Sequence, residues 1–357
     1  LGAILYYITG HGYGHAVRSG QIIRSLIDIA PHVTIHVRTT APEWLFSGDS
    51  RQIAYSRQAL DVGVIQADSL NMDLAATLRS CCDFHRRLPQ LIAHEAEFAK
   101  ARKIDLILAD VPPAAFAVGA HAGIASVAVT NFTWDVIYRD YVDEYGGFLS
   151  LIEEIRSFYR NASLALALPY SCDLSVFPKI EPIPWITRRS GLTRDQARIA
   201  FGLPASAVVV LLSFGGLGLE ALPVERLNAL TDFFFVTTGP GVGKSGNLLV
   251  LDGVQRRYED LVRAADMVVT KPGYGIVADA LAHQVRVLYT DRGKFAEYPF
   301  LVQALSELAT AEFLPKESFL SGDIGPYLRK LMSKPPNWPA VALNGAERAA
   351  ERILGLL

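Results

Sequence analysis

The sequence predicts an α/β protein of two Rossmann-like domains facing each other across a cleft. Three observations carry that expectation. Short apolar runs alternate with amphipathic stretches, the alternation restarts midway, and a proline-rich segment separates the two rounds. In the first round, residues 4–8, 33–37, 104–109 and 126–129 read as strands. Residues 19–30, 84–102 and 113–122, between them, have helical periodicity. The runs lack polar alternation, which suits strands covered on both faces, and helical crossovers suit a parallel sheet. The second round has strand-like runs at 208–213, 233–237, 248–251, 267–270 and 285–289, with helices at 258–265 and 275–283. A last helix, 345–356, follows a loop at 334–339. Between the rounds stand Pro169, Pro178, Pro182, Pro184 and Pro204, with Trp185 and the pair Arg188-Arg189. Proline density and lost periodicity mark a connection between domains. The expected division is 1–170, a connection at 171–204, and 205–357.

Composition narrows the function classes. Lys and Arg number 34 against 36 Asp and Glu, a net charge of −2 that gives no basic face for DNA or RNA. Cys81, Cys82 and Cys172 form neither a disulfide framework nor a zinc-binding spacing, so reduced thiols in a cytoplasmic protein are expected. On that reading the sequons at Asn131 and Asn161 are chance matches. No run approaches the roughly 18 apolar residues of a membrane span. The chain starts in a strand-like run with no basic region before it, so no signal peptide is expected in it. A mean hydropathy of +0.23 leaves peripheral membrane contact open. No internal repeat is present, which excludes a solenoid.

In open α/β sheets ligands bind beyond the carboxyl ends of the strands, and the unusual residues fall there. The first strand runs into Gly10-His11-Gly12-Tyr13-Gly14-His15. Its glycines permit a tight turn before a helix N-terminus, but dinucleotide spacing fails because Gly-x-Gly-x-x-Gly needs glycine at His15 or Val17. The second strand ends in Arg38-Thr39-Thr40, with no acid for a ribose, so NAD binding is rejected. A metal is not expected, because no third ligand stands at suitable spacing from His11 and His15. Either histidine can be a general base, or both can cap the backbone. Asp110, just past the third run, suits a carboxylate orienting that base, and equally a helix cap before Pro112-Pro113. After the next run, Asn131, Trp134 and Asp135 either line an acceptor pocket or serve packing and a helix start.

In the second half, Ser213-Phe214-Gly215-Gly216 and Lys271-Pro272-Gly273-Tyr274-Gly275 each follow a strand. Backbone NH groups in such turns can cradle a diphosphate, or the glycines only make turns. Asp279 is placed either to receive ribose hydroxyls or to lie on the surface. Gly241-Val242-Gly243-Lys244-Ser245 is not a P-loop, since its first glycine would be Thr238.

Several segments together resemble GT-B glycosyltransferases, and most of all the glycosyltransferase-like N-terminal region of arabinokinases. They are residues 7–16 around the histidine turn, residues 129–135, Gly273-Tyr274-Gly275 with Ala280-Leu281-Ala282, and Pro299-Phe300-Leu301. The resemblance does not extend to the sugar-kinase domain of arabinokinases, so no kinase activity is expected. A more distant likeness is to the N-acetylglucosaminyltransferase of peptidoglycan synthesis and to UDP-sugar transferases of small molecules. This resemblance implies His15 as base or acceptor-site residue, with Asp110 orienting it. It implies Asp279, where the family commonly has glutamate, at the ribose, Glu297 at donor-sugar hydroxyls, and the base-binding segment near Val254 to Tyr258. The expected activity is inverting, metal-independent transfer from a UDP- or dTDP-sugar to a small-molecule or glycan acceptor, with no cofactor. A UDP-sugar epimerase and a non-catalytic nucleotide-sugar-binding module are the alternatives.

Overall fold

The structure is a computed structural model describing residues 2–46, 51–66, 72–214, 223–239, 241, 243–252 and 257–357. Among these residues the strands form two seven-stranded sheets. The first sheet contains β1 (Ala3–Ile8), β2 (Thr34–Thr39), β3 (Ile53–Arg57), β4 (Leu106–Asp110), β5 (Ser126–Thr130), β6 (Leu164–Ala167) and β7 (Ile180–Pro182). Their order is β3-β2-β1-β4-β5-β6-β7, and every neighbouring pair is parallel. The second contains β8 (Val208–Ser213), β9 (Phe233–Thr238), β10 (Gly243–Ser245), β11 (Leu248–Leu251), β12 (Met267–Thr270), β13 (Arg286–Tyr289) and β14 (Ala311–Phe313). Its order is β10-β11-β9-β8-β12-β13-β14, with only β10 antiparallel to its neighbour.

Both sheets reverse their strand order beside the first strand of the half, between β1 and β4 and between β8 and β12. Crossover helices there leave on opposite faces, opening a crevice at the carboxyl edge. The apolar runs behave as buried parallel strands should. Leu5, Tyr7, Ile107 and Ala109 point into one core, and Ile4, Tyr6, Ile8, Leu106 and Leu108 into another on the opposite face. The second of these cores continues into the other half, through Trp185 and Ile186 to Val209, Leu211 and Val268.

The chain end ties the halves together. Gly345 opens the helix Gly345–Leu354 against the backbone of Pro184 and Trp185, where a β-carbon would collide with that backbone. Its N–H donates to Trp185 O at 2.9 Å, and the helix packs on Tyr13–Ile29 of the first half. Arg352 clasps Glu181 with Nε–Oε2 at 2.6 Å and Nη2–Oε1 at 3.1 Å.

Three expectations need correction. The first helix starts at Tyr13, not residue 19, because Gly12 (φ 73°) makes the turn, and Gly14 and Gly20 are accommodated within the helix. The long helix Leu74–Ala101 starts well before residue 84, capped by Asp73, whose carboxylate accepts from Ala76 N at 2.8 Å, and it accommodates Pro89. Strands β3, β6, β7, β10 and β14 were not expected; β7, β10 and β14 have only three residues each, too few to show a pattern. Of these, β7 belongs to the first sheet although it lies in the proline-rich connection.

Candidate active site

The site begins with the turn after β1. The Thr9 N–H donates to Asp110 O at 2.9 Å, holding the turn beside the end of β4, and Gly12 takes the left-handed conformation that favours glycine. The helix begins one residue later, so His15, Arg18 and Ser19 lie on its first turns, facing the sheet. Gly14 lies against Gly275 of the other half, where a β-carbon on Gly275 would stand 3.8 Å from Gly14 Cα. The two glycine turns therefore meet across the cleft with only backbone between them.

Behind the turn lies a buried cluster of charge. The Asp110 carboxylate is fully buried and receives four contacts. Arg18 grips it with Nε–Oδ2 at 2.7 Å and Nη2–Oδ1 at 2.5 Å, Ser19 Oγ donates to Oδ2 at 2.9 Å, and His15 Nδ1 lies 2.9 Å from Oδ1. Burial works to raise this carboxyl, but Arg18 and His15 outweigh it and hold it at about 2. The same Arg18 Nη2 stands 3.0 Å from His15 Nδ1. Burial first, and Arg18 next, lower the His15 ring below the ordinary histidine value against the pull of Asp110. His15 is thus neutral at pH 7, and its Nε2 has no hydrogen-bond partner among the described residues. An imidazole of that kind, with Nδ1–H on a carboxylate, can accept a proton at Nε2.

His11 is less suited to that task. Its Nδ1 accepts the Val64 N–H at 3.4 Å, and its ring stacks on Phe295 and meets Trp134 edge-on. Burial, with the charges of His15, Arg292 and Lys271, pushes it down to about 3. Asp61 lies beside it, accepting from Thr9 Oγ1 at 3.0 Å and Trp134 Nε1 at 2.8 Å. Burial pushes that carboxyl up to about 6 despite both donors.

The network crosses the cleft. Arg18 Nη1 donates to Asn131 Oδ1 at 2.7 Å, and Asn131 Nδ2 donates to Glu297 Oε1 at 2.7 Å. The other Glu297 oxygen accepts from Arg292, whose Nη1 also donates to Pro272 O at 2.9 Å and whose guanidinium lies over the Phe295 ring. Phe295 comes from the second half yet packs in the aromatic cluster of the first, edge-on to Phe132.

The second half offers a different surface. Ser213 and Thr270 end the adjacent strands β8 and β12; Tyr258 OH donates to Ser213 Oγ at 2.5 Å, and Thr270 Oγ1 to Ser213 O at 2.6 Å. Gly273 precedes the helix Tyr274–His283, and no side chain of the N-cap bonds to its first NH groups. Tyr274 is buried, stacked on Trp185 at 4.9 Å and beneath Arg18.

Some expected site residues are engaged elsewhere. Phe214 stacks on Phe319 at 4.4 Å inside the second core, so it cannot line the cleft. Asp135 is buried and paired with Arg156 at 2.8 Å, a helix-to-helix tie within the first half. Trp134 is 1% exposed and forms the wall behind His11 rather than an open surface. Asp279 is not a surface charge: Arg188, from the connection, covers it with N–Oδ1 at 3.1 Å and Nε–Oδ2 at 3.0 Å. Gly215, Gly216 and Val254 lie outside the described residues.

Sequence reasoning missed Arg18, Ser19, Arg188, Arg292 and Phe295. Arg18 was within reach: once the helix is started at Tyr13, it falls three residues after His15 on the same face. Among the described residues, no group of three or more His, Cys, Asp or Glu could hold a metal ion, and no helix is long and apolar enough to cross a membrane.

No family model matches the chain. L-arabinokinase of Arabidopsis thaliana is 32% identical over 352 residues, which is 97% of this chain and 33% of that protein, in its N-terminal part. The chain thus spans about a third of the length of the curated relative it matches. Among solved structures, the glycotransferase of kitacinnamycin aligns over 100% of this chain and 99% of its own, with a TM-score of 0.62 at 18% identity. UGT71G1 of Medicago truncatula complexed with UDP-glucose covers 99% and 93%, at a TM-score of 0.62 and 13% identity. MurG of Acinetobacter baumannii covers 99% and 100%, at 0.58 and 12%. The chain has the GT-B fold.

Proposed function

From this GT-B fold we propose that the chain transfers a hexosyl or pentosyl group from a UDP- or dTDP-sugar to an acceptor hydroxyl, with inversion and without a metal. The observation that carries the reading is the buried His15–Asp110 pair at the crevice between β1 and β4, facing the glycine turn of the other half. His15 Nε2 accepts the acceptor's hydroxyl proton as its oxygen bonds to the anomeric carbon. The bond from that carbon to the diphosphate breaks on the opposite face, and the electron pair leaves with the diphosphate. Backbone NH groups of the turn at Gly273, Tyr274 and Gly275, with Lys271 and the helix N-terminus, stabilise that charge as it develops. Ser213 and Tyr258 stand at the donor end, and Asn131 on the acceptor side. Glu297 reaches donor-sugar hydroxyls once Asn131 releases it, and Asp279 reaches a ribose once Arg188 moves aside. His11 walls the acceptor pocket instead of acting as base. The free cysteines support a cytoplasmic setting.

A thermal-shift screen over UDP, dTDP, GDP and ADP identifies the nucleotide, since a ligand of the folded state raises its stability. The UDP- or dTDP-sugars so indicated are then incubated with and without an acceptor panel. Sugar transferred by wild-type protein and lost in His15→Ala, with donor affinity kept, supports the reading. Near-normal transfer by His15→Ala sinks the base assignment, and conversion of donor without acceptor indicates epimerisation instead.

A further inference from the structure

Asp110 carries two roles that pull against each other. As an orienting group it must accept the His15 Nδ1 proton, but as a buried anion it would also draw a second proton onto the ring. Arg18 meets both oxygens of that carboxylate, is itself 3% exposed, and brings Nη2 within 3.0 Å of the same His15 nitrogen. A guanidinium fork of this kind fixes a carboxylate in one plane while cancelling its charge. We propose that Arg18 is the positioning residue of the His15–Asp110 pair, countering the carboxylate's charge at the ring while holding it in place to orient Nδ1.

The groups facing His15 allow the effect to be assigned. Its own helix contributes Arg18, the preceding turn His11, β4 Asp110, and the second half Glu297; Phe132 closes the remaining side edge-on at 5.4 Å. Both Asp110 and Glu297 favour a charged ring, while Arg18 opposes it. Among the described residues, Arg18 is the one whose side chain bonds to both partners of the pair. It is also the link to the second half, through Asn131 to Glu297 and over the Tyr274 ring at 5.3 Å. Removing the guanidinium leaves Asp110 ionised and uncompensated next to the imidazole, so the ring should take up a proton at higher pH.

The assignment of His15 as base rests on the transferase reading, but the charge relation does not. Protein labelled with ¹³C and ¹⁵N at histidine is titrated by NMR, with the His15 signals identified by their loss in His15→Gln. The wild-type ring is expected to titrate below the ordinary histidine value. In Arg18→Met its midpoint should rise by on the order of one pH unit or more, and in Arg18→Lys, which keeps the charge, by less than half of that. Should Arg18→Met not fold, Arg18→Gln still donates to Asp110 without the charge and gives the same test. An unmoved midpoint in the uncharged variant overturns the proposal, as does an equal rise in Arg18→Lys. In the turnover arm, the acid limb of kcat/KM should follow the NMR midpoint. Absence of turnover in wild-type protein counts against the transferase reading and leaves the titration result standing.

Discussion

The two crevices of this molecule have the same topology and opposite chemistry. Between β1 and β4 the carboxyl edge is filled with side chains: His15, Arg18, Ser19 and Asp110 lie within hydrogen-bond distance and almost out of solvent. Between β8 and β12 the same edge carries Ser213, Thr270 and a glycine turn leading into a helix N-terminus. A proton acceptor needs a tuned side chain held at one atom, which demands burial and partners. An anion can be met by many weak backbone donors, which demand only open turns. One strand order thus supplies the place, and each half fills it with different chemistry.

Substitutions that break this contrast should do so unequally. Asp110→Asn comes first: turnover should fall about a thousandfold or more. Because the Arg18 charge is left buried without its partner, stability should drop by about 3–5 kcal/mol in chemical denaturation. His15→Ala should lower turnover about 100- to 1,000-fold while calorimetric donor affinity stays within twofold, since the ring serves only the first crevice. A matching loss of donor binding would mean that the two crevices are not chemically separate.

A pH experiment sharpens the comparison further. His11 sits at about 3 against 6.5 when unfolded, so below pH 6.5 the unfolded chain takes a proton that the folded one refuses. Stability is then lost as pH falls, by about 2 kcal/mol between pH 7 and 5 for this residue. Asp61, raised to about 6, works in the other direction, favouring the folded state as pH falls from 6 towards 3.8. His11→Gln should therefore flatten the acid loss measured by denaturation at pH 7 and 5, and an unchanged slope would refute the assignment. The smallest effect is expected in the second half. Ser213→Ala removes one hydroxyl from a surface made mostly of backbone, so donor affinity should weaken less than tenfold with turnover at saturation unchanged.

Legibility in the sequence differed between the same two regions. The Gly10–His15 turn could be read because glycine, histidine and a preceding apolar run are all local signals, and Asp110 because it ends another run. The acceptor-side reading of Asp135 did not hold, because its pairing with Arg156 across two helices has no local mark. Asp279 was legible as an acid on the helix Tyr274–His283, yet its cover, Arg188, stands 91 residues away in a segment read only as connection. Phe214 was assigned to the cleft by adjacency to Ser213, but successive residues leaving a strand point to opposite sides, and its ring went into the core.

By itself the sequence determined the two rounds of α/β alternation and the histidine turn with its carboxylate, because backbone conformation and hydrophobic period are properties of neighbouring residues. Tertiary structure alone decided that Asn131 meets Glu297 over a separation of 166 residues, that Gly14 rests on Gly275, and that Arg18 shares Asp110 with His15. These contacts depend on how two sheets are set against each other. That setting follows from packed surfaces, such as the helix Gly345–Leu354 lying on Tyr13–Ile29, whose partners lie far apart along the chain.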